Sequence, residues 1–342
     1  YNPCKMEVTT VKRKIAFIAT GGTIASVPTP EGLRPAFTEK EMLDLVPELS
    51  SIAEIEGHLI MNIDSSNMQP EDWPVIAKKT LEALASCDGA VIAHGTDTLA
   101  YTSSALTYML THLKKPVIIT GSQRSIGEEE SDAARNLIDS FKVAVSGQAG
   151  VFVVFGGKII MGDRASKVKT ESIDAFASIN AAEVGFVESD IRWDKELLRR
   201  ERARLEGIWQ KLLKGEGQID DSDQAKDAVI YDAIDPQVLL IKLYPGMEPD
   251  VLLYAKDRGY HSLLIEAFGM GGVCFREPRN LIPAIEELIA AGITVAVTTQ
   301  VPFEGADLTR YEVGQRALKA GAISTGDMTR EAVLVRLMMK NI

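Results

Sequence analysis

The chain has 342 residues, of which 46% are hydrophobic and 25% charged, and its formal net charge is −11. This length suits two domains, and the composition is that of a globular protein rather than a disordered or fibrous one. The acidic balance disfavours a nucleic-acid partner, because phosphate binding depends on surplus Lys and Arg.

The cysteine pattern and the absence of long apolar runs indicate a cytoplasmic protein without membrane association. Cys4, Cys87 and Cys274 lie far apart and lack CxxC spacing, which favours free thiols in a reducing compartment over disulfides or a zinc site. No apolar run approaches the ~18 residues that span a bilayer. The N-terminus has basic residues but no signal-peptide pattern, so we expect a short extension before the first strand.

Short apolar runs followed by Gly, Thr or Ser alternate with helical patterns along the chain. KIAFIAT is followed by GGT, GAVIA by HGTDT and KPVIIT by GSQ; later, VLLIKL is followed by YPGM, SLLIEA by FGMGG and ITVAVT by TQV. Continuous apolar runs indicate strands buried on both faces, as in a parallel sheet covered by helices. The sequence therefore predicts an α/β fold, with ligands bound at the carboxyl ends of its strands.

A charged stretch at residues 194–227 divides the chain. It is poor in strand signal, begins as an exposed helix and ends in a polar, Gly- and Asp-containing stretch, which is typical of an interdomain linker. We predict a larger N-terminal α/β domain at residues 12–195, with a mostly parallel sheet flanked by helices and most of the catalytic residues. A linker at 196–228 and a smaller C-terminal α/β domain at 229–342 follow.

The first candidate site is ATGGTIAS, residues 19–26. Glycines that end a buried strand expose backbone N–H groups, and Thr23 places a hydroxyl beside them, which is what acyl transfer through an oxyanion requires. The alternative is a simple turn in which the glycines supply positive φ and Thr23 caps the next element. A phosphate loop is disfavoured, because neither GxGxxG nor GxxxxGK[ST] occurs.

The second candidate, NIDSSNM, lies between a strand-like run and a helix. Its Asp64, Ser65 and Ser66 have the polar groups to bind a carboxylate. An Asx or Ser turn accounts for the same residues equally well. The segment alone therefore leaves both interpretations open.

The third candidate, HGTDT, places Thr96, Asp97 and Thr98 where a helix begins. Helix capping accounts for one of these polar residues, whereas a carboxylate here suits a substrate ammonium. For His94 we favour a hydrogen-bonded strand-end residue over a catalytic one. Because the four histidines are dispersed, we predict neither a metal site nor a Ser–His–Asp constellation.

A hydroxyl nucleophile without a histidine needs another base, and a lysine with a lowered pKa or a tyrosine can serve. DRASKVKTESIDAF carries Lys167 and Lys169 after the strand-like KIIMG. Most lysines are surface charges, and spacing alone does not choose between these two.

Together these segments resemble the bacterial-type L-asparaginase family of amidohydrolases, and DSSNM resembles its cytosolic (type I) branch. The matching pieces follow the family's order from about residue 13 to 340: ATGGTIAS, NIDSSNM, HGTDTLAYTS, TGSQR, DRASKVKTESIDAFAS and GAISTGDMT. The resemblance implies hydrolysis of the side-chain amide of L-asparagine to L-aspartate and ammonia, without a metal or organic cofactor.

The resemblance also implies the catalytic roles. Thr23 would attack the amide carbon and form an acyl-enzyme. Thr96, Asp97 and Lys167 would form a second catalytic group that activates a hydroxyl or water. Lys167 fits the family pattern because it lies nine residues before Phe176.

Substrate binding is implied by the same resemblance. Asp97 would bind the α-ammonium of asparagine and Ser65 its α-carboxylate, while backbone groups near Gly22, Thr96 and Ser122 would surround the amide. The implied substrate-binding residues are Gly22, Asp64, Ser65, Ser66, Gly95 and Ser122.

The chain departs from the family in the loop after the first motif. Many relatives carry a tyrosine there as the partner of the first threonine, whereas this chain has Leu33 at about that place. We expect Tyr311 to replace it as a catalytic residue; the alternative is a half-buried helix residue. Residues 24–38, rich in Pro and Gly, are predicted to form a lid, with a plain surface loop as the alternative.

Two further departures concern specificity and regulation. Ser66 stands where secreted relatives carry glutamine, which puts glutaminase side activity in doubt. Val301 stands where some cytosolic relatives have a cysteine of an allosteric asparagine site. Regulation therefore does not transfer from the family.

The resemblance implies homodimers, often paired into tetramers, with the site near a subunit interface and completed by a neighbour's C-terminal domain. Two other functions stay open: an asparaginase-like amidase subunit of a tRNA-dependent amidotransferase, and a non-catalytic amino-acid-binding or sensor protein. Such amidase subunits carry an extra N-terminal domain, whereas about a dozen residues precede the first predicted strand. A pure binder does not need two hydroxyls and a lysine.

Overall fold

The structure is a computed structural model that describes residues 12–30, 32–214 and 229–340. The predicted N-terminal extension lies outside the described residues. So do residue 31 of the predicted lid, residues 215–228 of the predicted linker, and the last two residues of the predicted C-terminal domain.

Strands and helices alternate through most of the described chain, except that the six strands between residues 150 and 193 follow one another without a helix. The strands are β1 (Lys14–Gly21), β2 (Ser26–Thr29), β3 (Gly32–Pro35), β4 (Glu54–Ile63), β5 (Gly89–Ala93), β6 (Leu110–Thr111), β7 (Pro116–Thr120), β8 (Gly150–Phe155), β9 (Lys158–Met161), β10 (Ala165–Lys167), β11 (Phe176–Ser178), β12 (Gly185–Val187), β13 (Ile191–Trp193), β14 (Val229–Ile230), β15 (Val238–Lys242), β16 (Ser262–Ala267), β17 (Thr294–Thr299) and β18 (Ile323–Ser324). The helices are α1 (Glu39–Asp44), α2 (Leu49–Ile52), α3 (Asp72–Leu84), α4 (Leu99–Met109), α5 (Ala133–Ser146), α6 (Lys195–Lys214), α7 (Asp250–Asp257), α8 (Ile282–Ala290), α9 (Glu312–Lys319) and α10 (Arg330–Met338). Two short 3-10 helices span Thr23–Ala25 and Ser65–Asn67.

The larger sheet has eight strands in the order β13-β12-β9-β8-β7-β5-β1-β4. The five strands from β8 to β4 are parallel, and β9, β12 and β13 extend the sheet in antiparallel fashion. Residues 15–19, 90–93 and 117–119 of the central strands are 0% exposed, because helices such as α3, α4 and α5 pack against the sheet. The predicted strands buried on both faces are confirmed.

The smaller sheet has four parallel strands in the order β15-β16-β17-β18. It has its own hydrophobic core, to which Leu252, Ile265 and Leu288 contribute. The predicted α/β fold, with a larger N-terminal and a smaller C-terminal domain, is therefore confirmed. The predicted domain boundaries remain predictions.

The last helix that the structure describes, α10, packs between the two sheets and contacts β15 and β16 of the smaller one. It contacts α4, and Val333, Val335 and Leu337 are buried within the hydrophobic core of the larger sheet. The end of the described chain therefore fastens the C-terminal half to the N-terminal half.

Helix α6 differs from the exposed helix that its charge predicts. Leu198, Leu205 and Leu212 are 5% exposed or less, and the indole N–H of Trp209 donates a hydrogen bond to the backbone oxygen of Thr107 (2.9 Å). Apolar residues seven positions apart lie on one helix face, so α6 packs that face on the larger core and exposes most of its charges, although Glu201 is buried at 6% exposure. Within the described ranges no helix combines the length and apolar character needed to cross a membrane.

Candidate active site

Two glycines at the end of β1 bring neighbouring strand ends into direct contact. Gly21 and Gly22 have φ values of 103° and 82°, which favour glycine. A Cβ atom on Gly22 would lie 2.2 Å from the Cα of Gly95, and one on Gly21 would lie 2.5 Å from the backbone of Ile63. The chain around Thr23 thus approaches the ends of β4 and β5 more closely than any side chain would permit.

Thr23 opens the first 3-10 helix and is half-buried. The helix is preceded by Gly22 at the capping position, and no side chain caps it, so the alternative role of Thr23 as a cap is wrong. Among the residues that the structure describes, the Thr23 hydroxyl has no hydrogen-bond partner. A hydroxyl that is not engaged by its own chain is available to a ligand.

Thr96 and Asp97 follow β5 and meet Lys167 from the β10–β11 hairpin. The Lys167 ammonium donates hydrogen bonds to Thr96 Oγ1 (2.8 Å) and Asp97 Oδ1 (2.7 Å). Thr96 is 4% exposed and donates its own hydroxyl proton to Gln123 Oε1 (3.1 Å). A relay of hydrogen bonds therefore runs from the ammonium through the Thr96 hydroxyl to an amide oxygen.

The two lysines that the sequence left open have different partners. Lys169 Nζ lies 2.5 Å from Asp174 Oδ2, and both side chains are about half exposed. Lys167 is 18% exposed and reaches the end of β5. Because β10 ends at Lys167, Lys169 lies beyond the strand, and its side chain binds the surface loop rather than Thr96.

The Asp64–Ser66 segment lies against the same loop. Ser65 is buried, its hydroxyl accepts the backbone N–H of Asp97 (3.3 Å), and its carbonyl accepts the Thr98 hydroxyl (2.8 Å). The Ser66 hydroxyl donates to Asp97 Oδ2 (3.4 Å). Asp64 accepts the backbone N–H of Ser66 (2.8 Å), which is the predicted Asx turn.

Gly95 joins these elements at one point. A Cβ atom there would lie 2.5 Å from Ser65 Oγ and 3.0 Å from the Cα of Gly22. Ser122, at the end of β7, is buried, and its hydroxyl donates to the backbone oxygen of Arg124 within its own loop. The ends of β4, β1, β5 and β7 thus contribute the predicted residues to one edge of the sheet.

His94 is buried beneath this edge and is structural. Its Nδ1 lies 2.7 Å from the carbonyl oxygen of Gly95, so Nδ1 carries the proton, and the Thr102 hydroxyl donates to Nε2 (2.9 Å). Burial lowers the pKa of His94 to about 4, against the opposing effect of the hydrogen bond to Gly95. The predicted hydrogen-bonded strand-end histidine is confirmed. In the part of the chain that the structure describes, no group of three His, Cys, Asp or Glu residues is arranged to hold a metal ion.

Three residues of the site, Gln123, Asp132 and Asn136, were not predicted from the sequence. Gln123 accepts the Thr96 proton, while its buried Nε2 has no partner among the described residues. Asp132 accepts the backbone N–H groups of Gln123 and Arg124 (3.1 Å each), and Asn136 donates to the Gly121 carbonyl (3.0 Å). The signal for Gln123 was its place in TGSQR, next to the selected Ser122.

Tyr311 lies on the smaller domain, at the N-terminus of α9. Its side chain is 58% exposed, so the alternative of a half-buried helix residue is wrong. Within the described chain no hydrogen bond joins it to Thr23. A catalytic role for Tyr311 remains a prediction.

The predicted lid contains the β2–β3 hairpin. The backbone N–H groups of Ala36 and Phe37 both donate to the Ala25 carbonyl (2.8 and 2.9 Å), and the Ser125 hydroxyl donates to the Ser26 carbonyl. The hairpin is therefore fixed at its base, directly after Thr23. Whether it acts as a lid remains a prediction.

Val301 lines a cavity of about 200 Å³ between the two domains. Ser166 and Lys167 line it from the larger domain, and Gln300 and Glu331 from the C-terminal half. The cavity lies beside the lysine of the candidate site.

Comparisons with known proteins agree with the fold and with the motifs. Residues 14–199 match the family model "Asparaginase, N-terminal", and residues 237–340 match "Glutaminase/Asparaginase C-terminal domain". The chain is 41% identical over 326 residues to an L-asparaginase of Thermococcus kodakarensis, covering 95% of this chain and 92% of that protein. It is 38% identical over 334 residues to a glutamyl-tRNA(Gln) amidotransferase subunit of Pyrococcus furiosus, covering 95% of this chain and 71% of that protein.

Solved structures give the same picture. The thermostable L-asparaginase from T. kodakarensis superimposes with a TM-score of 0.81 at 38% identity, over 95% of this chain and 92% of that one. L-asparaginase I from Vibrio cholerae superimposes with a TM-score of 0.78 at 26% identity, over 96% and 93% of the two chains. The relatives thus carry two kinds of name, L-asparaginase and amidotransferase subunit, at similar identity.

Proposed function

We propose that this chain, which belongs to the asparaginase family, is an L-asparaginase that hydrolyses the side-chain amide of L-asparagine to L-aspartate and ammonia. The observation that carries the proposal is that the site contains two threonines whose hydroxyls differ in hydrogen bonding. Thr96 is bound to the Lys167 ammonium at 2.8 Å, and the Thr23 hydroxyl has no partner among the described residues. Acyl transfer uses one hydroxyl as a nucleophile and a second group to move protons.

In the proposed first step, Thr23 Oγ forms a bond to the amide carbon of asparagine. The hydroxyl proton passes to the departing nitrogen, the C–N bond breaks, and ammonia leaves an ester on Thr23. Water then attacks the ester, releases aspartate and returns a proton to Thr23. The Gly22 N–H donates to the Ile63 carbonyl (2.9 Å), whereas the Thr96 N–H has no partner among the described residues. The Thr96 N–H supports this sequence, since a backbone donor at the strand end can stabilise the oxyanion of both tetrahedral intermediates.

We assign the movement of protons to Thr96, Asp97 and Lys167. Support comes from the hydrogen bonds that the ammonium donates to both Thr96 and Asp97. The Gln123 amide oxygen accepts a hydrogen bond from the Thr96 hydroxyl and so fixes the direction in which the hydroxyl lone pairs point. A water bound near these lone pairs is suited to attack the ester.

For substrate binding, we assign the α-ammonium of asparagine to Asp97 and its α-carboxylate to Ser65. The Asp97 carboxylate supports this assignment because it is 57% exposed at the sheet edge. Backbone groups near Gly22, Thr96 and Ser122 would surround the amide, and Gly95 would complete this part of the pocket.

Asp64 and Ser66 would complete the pocket. Their support is the contact of the Ser66 hydroxyl with Asp97 and of the Ser66 backbone N–H with Asp64. No metal or organic cofactor takes part in this scheme.

The Thr23 proton needs a group that takes it up and passes it to the departing nitrogen, and we propose that Tyr311 of a second copy is this group in a homodimer or tetramer. The 58% exposure of Tyr311 supports a contact outside its own chain.

We also propose a cytoplasmic location, which the free thiols of Cys87 and Cys274 support.

A second candidate function is that of an amidase subunit in a tRNA-dependent amidotransferase. It is favoured by the 38% identity to the P. furiosus subunit over 95% of this chain. The same site would then release ammonia from an amide donor only when the tRNA substrate is present.

The deciding experiment measures ammonia release from L-Asn, D-Asn and L-Gln by the parent protein, Thr23→Val and Thr96→Val, with Thr294→Val as the control. We expect L-Asn to be the best substrate and each site variant to lose about 10³-fold in kcat. Thr294 begins β17, at the end of the smaller sheet opposite its carboxyl ends, so its variant should keep parental turnover.

Three outcomes would contradict the proposal. Release only after glutamyl-tRNA is added would favour the amidotransferase subunit. No release under any condition would favour an amino-acid-binding protein. Full activity in either threonine variant would remove that threonine from catalysis.

A further inference from the structure

Lys167 lies on a strand that neither main sheet contains. In the described chain, β10 has three residues and pairs with β11 as a separate two-stranded sheet. A two-stranded ribbon is marginally stable on its own in water. The position of the Lys167 ammonium beside Thr96 therefore depends on contacts other than strand pairing.

The residue before Lys167 is anchored to the C-terminal half of the molecule. Ser166 is 6% exposed, and its hydroxyl donates a hydrogen bond to Glu331 Oε1 (2.8 Å). Glu331 lies in the first turn of α10 and is itself 4% exposed. Because neighbouring strand residues face opposite sides, this bond holds one face of β10 while Lys167 projects from the other.

The start of the strand is held by the same part of the chain. The Arg164 guanidinium donates to Asp327 through both the carboxylate (2.9 Å) and the backbone carbonyl (2.9 Å), and Thr329 donates to the Asp163 carbonyl (3.4 Å). Asn180, which follows β11, also donates to the Asp327 carbonyl (3.0 Å). Residues 327–331 thus contact β10 itself, the residues just before it and a residue just after β11.

A buried ionic network stiffens these contacts from the side of α6. Arg164 is 4% exposed and also binds Glu201 (3.3 Å), while Arg204 joins Glu201 to Asp163 (2.8 Å each). Charge-assisted hydrogen bonds are short, directional and stronger than neutral ones. The base of β10 therefore has little freedom to shift.

We propose that residues 327–331, hereafter the clamp segment, position Lys167 for its work on Thr96 and Asp97, with Ser166 and Glu331 as the central positioning residues. This inference rests on the proposed catalytic role of Lys167. The clamp segment runs from the smaller sheet to α10, so turnover depends on how the two halves of the chain are joined. A misplacement of about 1 Å at a reacting group is enough to lower a rate by about 10²-fold.

The test compares two serines of the same ribbon. Ser166→Ala removes the hydroxyl that reaches Glu331, and Ser178→Ala removes a hydroxyl on β11 that donates to Ala182 within the larger domain (3.3 Å). We expect Ser166→Ala to lower kcat on L-Asn about tenfold with a smaller change in KM, and Ser178→Ala to leave both near parental values. Ser166→Thr keeps the hydroxyl and should restore most of the lost turnover.

Two further measurements separate positioning from general damage. Amide hydrogen exchange of residues 163–180 should accelerate in Ser166→Ala and stay unchanged in Ser178→Ala. Glu331→Gln keeps an oxygen that accepts the Ser166 proton and should retain most activity, whereas Glu331→Ala should match Ser166→Ala. If Glu331→Ala does not fold, the comparison of Ser166→Ala with Ser166→Thr decides whether the clamp segment positions Lys167.

The outcomes for the clamp segment and for the proposed function are distinct. An inactive Lys167→Met, together with parental kcat and exchange in Ser166→Ala, overturns the clamp and leaves the function standing. Parental turnover in Lys167→Met overturns the role of the lysine. Exchange of residues 163–180 then still reports whether the clamp segment holds the ribbon.

Discussion

The two threonines of the candidate site have opposite surroundings. Thr96 is 4% exposed and is bound on one side by the Lys167 ammonium and on the other by Gln123. Thr23 is half-buried at the start of a 3-10 helix, and its hydroxyl has no partner among the described residues. The described part of a single chain therefore surrounds the Thr96 hydroxyl with hydrogen-bond partners. It leaves the Thr23 hydroxyl without one.

This difference separates the Thr96 network, which one folded chain forms by itself, from the activation of Thr23, which needs a further group. The Thr96 network is fixed before substrate arrives, which is the condition for electrostatic preorganisation. In the part of the chain that the structure describes, no base is hydrogen-bonded to the Thr23 hydroxyl. The contrast predicts that variants near Thr96 act within one chain, whereas the activation of Thr23 depends on a neighbour.

The largest effect should come from the lysine of the Thr96 network. Lys167→Met removes the donor to both Thr96 and Asp97, and we expect kcat on L-Asn to fall about 10³-fold, as for loss of a proton-transfer group. Lys169→Met is the matched control, because its ammonium binds only the surface residue Asp174. Equal losses in both variants would mean that the network around Thr96 has no special role.

The next effect concerns stability. The loop that carries Thr96 is held by His94, which is hydrogen-bonded to Gly95 and Thr102. Burial lowers the pKa of this histidine from 6.5 to about 4, so the folded protein resists protonation that the unfolded chain accepts. Stability is therefore full above pH 6.5 and is lost as the pH falls towards 4. We expect the free energy of unfolding to drop by about 2 kcal/mol between pH 7.5 and pH 5.

Urea denaturation at a series of pH values measures this drop. His94→Gln removes the titrating group and should flatten the profile over that range. An unchanged slope in His94→Gln would show that other groups cause the loss.

A smaller effect is expected at Tyr311, and it tests the Thr23 side of the contrast. Tyr311→Phe removes only a hydroxyl, and we expect kcat to fall about tenfold because one proton acceptor is lost. Tyr244→Phe is the control, since Tyr244 is 56% exposed in the same domain. Near-parental turnover of Tyr311→Phe would remove this residue from the mechanism.

Mixing variants shows whether Tyr311 acts across subunits. Refolding Thr23→Val together with Tyr311→Phe creates mixed oligomers in which some sites combine an intact Thr23 with an intact Tyr311 of a neighbour. We expect the mixture to exceed either variant alone. If both residues act within one chain, mixing restores nothing.

The smallest effect is expected at Gln123. Gln123→Ala removes the acceptor of the Thr96 proton but leaves the Lys167 contact, so we expect kcat to fall about threefold, the loss of one neutral hydrogen bond. Gln148→Ala, at a residue far from the site whose amide bonds only the adjacent carbonyl of Ala149, is the control. A loss as large as that of Lys167→Met would mean that Gln123 contacts the reacting atoms.

The strand ends were predictable from the sequence because continuous apolar runs followed by Gly, Thr and Ser are typical of buried parallel strands and their terminal loops. The runs at residues 15–19 and 90–93 are buried strands, and Gly22 and Gly95 lie where backbone meets backbone. These features depend on local composition and on the rule that parallel strands present their carboxyl ends at one edge.

Other features depend on contacts between residues far apart in the chain, which local patterns do not encode. Gln123 meets Thr96 across 27 positions, and Ser166 meets Glu331 across 165. The choice of Lys167 over Lys169 came from the family resemblance, since spacing alone left both open. The seven-residue spacing of the leucines in α6 is a local pattern that indicates a buried face. The high charge of the same segment favoured an exposed helix instead.

The packing of α10 on α4 has a consequence for how the protein is made. Val333, Val335 and Leu337 complete the hydrophobic core of the larger sheet, yet they are translated after every strand of both sheets. Domains generally fold as units while the chain leaves the ribosome. Here the first domain to emerge must wait for one of the last helices to be synthesised, and the strand carrying Lys167 gains its anchor at the same late moment.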